Sequence, residues 1–140
     1  MKIQSAFLCD FAEARNGLLT AVSTGITRVI LGVPFTLYVA GYFLLEESEQ
    51  QPVHEFSVTL LDQDAHRLWR TQGALQVGTV IGLFPGEPLL APFVMQIPPV
   101  PLVPGTRYDV RISSDDTSEV LWLYAVAPSV SGPPHPIGGQ

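Results

Sequence analysis

The sequence predicts an all-β fold: a single β-sandwich of about eight mostly antiparallel strands over residues 1–127, with a Pro/Gly-rich tail at 128–140. Three observations lead there. Apolar residues recur with a period of two along most of the chain. The alternating runs are separated by Gly, Pro, Asn and Asp. No sustained 3.6-residue pattern interrupts them.

The strands follow in order. Ile3 to Asp10 opens the chain, and Ala12 to Gly17 forms a connection whose Asn16-Gly17 pair supplies the positive φ of a tight turn. Leu18 to Val29 returns as a second strand. Phe35 to Leu45 is a third strand, long and apolar on both parities, as burial on both faces requires. The acidic run Glu46-Glu47-Ser48-Glu49 is a solvated loop. His54 to Asp62 and Arg67 to Val77 form a hairpin around Asp62-Gln63-Asp64-Ala65-His66. Leu89 to Ile97 lies within a stretch, Pro85 to Pro104, that holds seven of the thirteen prolines, so it belongs at a sheet edge, where a missing N–H costs no ladder bond. Thr106 to Ser114 and Glu119 to Ala127 make the last hairpin, with Tyr108, Val110 and Ile112 on one side of one strand and Leu121, Leu123 and Ala125 on one side of the other. The tail after Pro128 is too poor in apolar residues to form a core.

Composition narrows function. Charged residues are 14% of the chain, against about 25% in typical soluble domains, while 46% are hydrophobic, which leaves apolar surface for an interface. Seven cations face thirteen carboxylates, a net charge of -6 that repels a nucleic-acid backbone. Cys9 is the single cysteine, so there is neither an intramolecular disulfide nor a cysteine-based zinc site, and the expected compartment is the cytoplasm. Val29 to Leu45 carries no charge and approaches membrane-spanning length, but Gly32, Pro34 and Gly41 would break a helix and its Val, Thr, Tyr and Phe suit a strand. No membrane span is expected.

The chain resembles a bacterial family of unknown function. The resemblance rests on Cys9-Asp10, on Gly17-Leu18 running into Val22 and Ile26, on His54 through Asp64, and on Pro104-Gly105-Thr106-Arg107-Tyr108-Asp109-Val110-Arg111. It implies a β-sandwich and brings no activity, cofactor or partner. Leu18 stands where a lysine is common in the family and Ala65 where a glycine is common, so both turns depart from its pattern.

Few residues offer chemistry. Asp62, Asp64 and His66 alternate in a turn and are the weak metal candidates; the spacing lacks the glycine and distal glutamate of a dedicated calcium loop, and aspartates in tight turns ordinarily bind backbone N–H groups. His54, His66 and His135 have no nucleophile motif around them, and Cys9 on a buried strand reads as a core thiol. Gly78 to Gly82 lacks the lysine of a phosphate loop, and the P-x-x-P spacings among Pro98, Pro101 and Pro104 read as a rigid connection. Trp69 and Trp122, with Tyr38, Tyr42, Tyr108 and Tyr124, suit either core packing or a glycan-stacking face.

The expectation is therefore a non-catalytic interaction module with no cofactor, binding a protein partner or a second copy of itself as a dimer. Val39 and Phe43, on a third strand without a charged gatekeeper, are its interface candidates. The alternatives are a small-ligand or glycan-binding sandwich and a metal-dependent enzyme using Asp62, Asp64 and His66.

Overall fold

The alternation at the C-terminal end is realised as a hairpin. In the computed structural model, which describes residues 1–78, 80–114 and 117–128, Tyr108, Val110 and Ile112 point inward from one strand and Leu123 and Ala125 from the next, all buried. Among the described residues ten strands form: β1 (Lys2–Cys9), β2 (Phe11–Arg15), β3 (Leu18–Val22), β4 (Arg28–Ile30), β5 (Leu37–Leu45), β6 (His54–Leu61), β7 (Arg67–Leu75), β8 (Leu89–Ile97), β9 (Thr106–Ser114) and β10 (Ser118–Val126). A three-stranded sheet, β1-β5-β8, faces a five-stranded sheet, β4-β10-β9-β6-β7, and β2-β3 is a separate hairpin. Every pairing is antiparallel except β4 with β10.

The two sheets are joined through aromatic side chains. Phe43 of β5 and Phe93 of β8 lie with ring centroids 4.5 Å apart, and Phe56 of β6 reaches across to both at 5.0 and 5.7 Å. Around them Leu8, Val39, Leu45, Val58, Leu60, Val110, Ile112 and Leu123 complete the interior. Such close packing of large apolar groups is the main stabilising term of a sandwich.

One of the expected strands is divided, and one expected connection is itself a strand. Ile3 to Asp10 ends at Cys9, and what reads as a connection, Ala12 to Gly17, is strand for most of its length: β2 and β3 pair Ala12 with Ala21 and Arg15 with Leu18 around Asn16 (φ 52°) and Gly17 (φ 75°). Both turn residues are left-handed, the requirement of the two-residue hairpin that Asn-Gly meets. The second run breaks after Val22, because Ser23 (φ 55°) and Gly25 (φ 84°) turn the chain away and Gly25 and Ile26 donate their N–H groups to Leu8 O. The chain thereby changes layer and returns as β4 in the other sheet. Val29 to Leu45 is thus two strands with a loop between them. Only the second, β5, is buried on both faces, since β2-β3 lies over its outer side, where Cys9, Ala12 and Ala40 form a small second core.

Gly41 explains one helix-breaking residue of that run. A Cβ there would meet Ser5 O at 1.9 Å, where β1 bulges between Ile3 and Ser5 against β5. The glycine is what lets the two backbones approach. β8, with Pro92 inside it, is an edge strand, as a proline in a ladder requires. Glu46–Glu49 is a capped 3₁₀ turn rather than an open loop, and no helix among the described residues is long and apolar enough to cross a membrane. The Asp115-Asp116 turn and the tail from 129 to 140 lie outside the described residues.

Candidate functional site

The residues proposed for metal binding do converge: the ligand atoms of Asp62, Asp64 and His66 lie within 4.8 Å of one another. The geometry shows what holds them there. Asp62 Oδ1 accepts hydrogen bonds from the backbone N–H of Asp64 at 2.9 Å and of His66 at 2.8 Å, and Asp62 N donates to His66 O at 3.0 Å. Ala65 sits at φ 62°, taking the left-handed position for which glycine is better suited. The N–H of His66, above all, holds the Asp62 carboxyl below the ordinary aspartate range. One carboxylate oxygen is committed to closing the β6–β7 turn, and Asp64 and His66 are exposed. The arrangement is the Asx-type turn expected of such a sequence.

Val39 and Phe43 cannot serve as interface residues. Both are 0% exposed, because β5 is the central strand of its sheet and these side chains point into the interior. The absence of a charged gatekeeper on this strand reflects neighbours on both edges and layers on both faces. Cys9 is likewise buried, beneath β2-β3, with its Sγ 3.8 Å from Tyr38 O; burial pushes its thiol pKa up, which opposes thiolate chemistry.

The exposed chemistry lies instead on the outer face of the five-stranded sheet. Strand alternation that buries Tyr108, Val110 and Ile112 turns Arg107, Asp109 and Arg111 outward, and the same rule on β10 exposes Val120, Trp122 and Tyr124. Register sets them side by side: Tyr124 pairs with Arg107 and with Arg28 of β4, Trp122 with Asp109, Val120 with Arg111, and Arg111 with Thr59, which pairs with Arg70 of β7. Trp122 is 56% exposed, with the Arg107 guanidinium carbon 5.7 Å from its ring centroid. Asp109 Oδ1 is buried and without a hydrogen-bond partner, Arg107 Nε being 3.6 Å away. Four of the chain's seven cations, Arg28, Arg70, Arg107 and Arg111, therefore share one face with two exposed aromatics. Among the described residues of these strands, only Asp109 and Glu55 oppose them there. Sequence reading had noted Trp122 and Tyr124 but not the arginines; the signal was the alternation of Arg107 and Arg111 with Tyr108, Val110 and Ile112. Of the other aromatics, Trp69 packs against the core, Tyr108 is buried with its hydroxyl accepting the Val103 N–H at 2.7 Å, and Tyr42 accepts from Leu19 N at 2.9 Å.

A second feature opens at one end of the sandwich. A cavity of about 350 Å³ lies between the sheets, floored by Leu60 and Leu123 and walled by Leu37 and Ile97. Its rim is the loop Val33-Pro34-Phe35-Thr36 on one side and Pro98-Pro99-Val100 with Leu102 on the other.

The sequence model of a family of unknown function, DUF6941, matches residues 4–126. No curated protein and no solved structure matches the chain.

Proposed function

The chain belongs to DUF6941, a family of unknown function, and we propose that it is a non-catalytic interaction module that holds an acidic segment of a partner protein on the outer face of its five-stranded sheet. The observation that carries this reading is Trp122, more than half exposed at the middle of a row of outward-facing arginines on a chain whose net charge is -6. Trp, Tyr and Arg are the residues that dominate interface energetics, and an exposed Trp gains most when a partner buries it. Segregating cations on one face of an acidic molecule favours an acidic partner and speeds its encounter. A two-fold dimer through this face would set arginines against arginines, which favours a different chain as partner over a second copy.

The test is titration of the protein with a panel of Glu/Asp-rich peptides carrying one aromatic anchor, followed by calorimetry at low and physiological salt, with lysine-rich peptides and single-stranded RNA as controls. Binding of acidic peptides should weaken at least tenfold in Trp122→Ala and in Arg107→Glu/Arg111→Glu, and should weaken with salt. Equal affinity in those variants, preference for RNA, or a dimer dissociated by the same substitutions would refute the reading.

A further inference from the structure

We propose that the cavity at the end of the sandwich is a binding site for an uncharged, lipid-like small molecule, independent of the arginine face. Its size, about 350 Å³, falls in the range of ligand sites, roughly 300–1,000 Å³. The lining fixes the chemistry. Among the described residues, Thr36 and Gln96 are its only polar side chains, and no charged residue takes part. Pro34, Pro98 and Pro99 bring no backbone N–H to the rim. A carboxylate or phosphate would lose its hydration here without gaining a cation or a set of donors. A neutral chain or ring with one hydroxyl or carbonyl fits the walls of Leu37, Leu60, Ile97 and Leu123 and can place its polar end beside Thr36 or Gln96.

The second argument concerns why the gap stays open. Apolar walls between two sheets ordinarily close on one another, because a void forfeits dispersion contacts. Here each side of the rim is tied back. Thr36 Oγ1 donates to Asp10 O at 2.7 Å, which fastens the loop before β5 to the end of β1. The buried Tyr108 hydroxyl accepts the Val103 N–H at 2.7 Å, which fastens the proline-rich segment to β9. Prolines on both sides stiffen what the hydrogen bonds hold. The site is therefore formed before a ligand arrives, and little ordering is lost on binding. Water filling it, at about 30 Å³ per molecule, finds too few polar partners and is released by an apolar ligand.

The experiment uses N-phenyl-1-naphthylamine, a neutral fluorophore, with the full chain. Fluorescence should rise to saturation at one probe per chain and fall when decanol is added. Decanoate at pH 8 should compete at least tenfold less well, because of its charge. Phe35→Glu, at the exposed rim, and Val100→Trp, which fills the space, should each weaken the probe at least tenfold with the circular dichroism spectrum unchanged; Phe35→Glu alone decides should Val100→Trp misfold. Arg111→Glu should leave the affinity within twofold, so failure here is separate from failure of the peptide site. Absence of saturable binding, indifference to Phe35→Glu, or equal competition by decanoate overturns the proposal. So would a tenfold gain in Ile137→Asp, which would assign the cavity to the chain's own tail.

Discussion

The two sheets of the sandwich share one core and treat their outer faces in opposite ways. The outer side of the three-stranded sheet is covered: β2-β3 lies over Cys9 and Ala40, and Phe11 sets its ring edge-on against Tyr38 with centroids 5.6 Å apart. No described element lies over the outer side of the five-stranded sheet, which carries arginines with Trp122 and Tyr124. The difference is one of side chains. Where both parities of a strand are apolar, as in β5, a second layer must cover them; where one parity carries arginine and serine, solvent or a partner is sufficient. Burial on the first sheet is structural, and exposure on the second is available for recognition.

The contrast is broken most directly by placing the same charge on each sheet. Phe43→Lys, in the shared interior, should cost about 5 kcal/mol or more, through lost packing and an unpaired buried ammonium, and leave little folded protein. Trp122→Lys, on the outer face of the five-stranded sheet, should stay within about 0.5 kcal/mol of the parent protein, as exposed substitutions do. Urea unfolding of the pair measures both; comparable losses would mean that the outer face of the five-stranded sheet is structurally committed after all.

Gly41→Ala sharpens the comparison from within the covered sheet. Its new methyl would collide with the Ser5 carbonyl, a backbone atom with no rotamer to change, so a loss of about 3 kcal/mol is expected, at the upper end for overpacking. A loss below about 1 kcal/mol would show that β1 does not press on β5 there.

Cys9 reports the cover itself, with the smallest perturbation. Its thiol should react with maleimide only as fast as β2-β3 lifts away, far more slowly than in urea-unfolded protein. Burial raises the thiol pKa, so this group's contribution to stability is complete below the unfolded thiol pKa and is lost as pH rises through the folded value. Labelling in the native state at the unfolded rate near neutral pH would remove the hairpin from the structural core.

Much of this contrast was written in local pattern. The alternation around Tyr108, Val110 and Ile112, the left-handed pair Asn16-Gly17, the two-sided apolarity of Leu37 to Leu45 and the edge position of the proline-bearing β8 all depend on neighbours in the chain, and sequence reading finds them. The layer changes were not legible. Cys9-Asp10 and Ser23-Thr24-Gly25 look like ordinary strand ends and turns, and nothing in them specifies that β2-β3 folds over the outside or that β4 crosses to pair in parallel with a strand about a hundred residues away. The interface candidates Val39 and Phe43 failed for the same reason: whether an uncharged strand lies at the edge or the centre is decided by pairing partners distant in sequence. The arginine face needed register as well as alternation, since only pairing places Arg28 and Arg70 on the same surface as Arg107 and Arg111.

The parallel pairing of β4 with β10 has a consequence for the order of folding. β9 fills the place between β6 and β10, and among the described residues β10 in turn is the only strand that ties β4 into the sheet. As the chain is made from its N-terminus, β6 and β7 can meet as a hairpin, but one side of β6 keeps its N–H and C=O groups open until β9 follows. β4 waits longer still. Long-range closures of this kind are slow and leave strand edges exposed in the interim. The five-stranded sheet, and with it the assembled row of Arg28, Tyr124 and Arg107, comes into being only when the last strand docks.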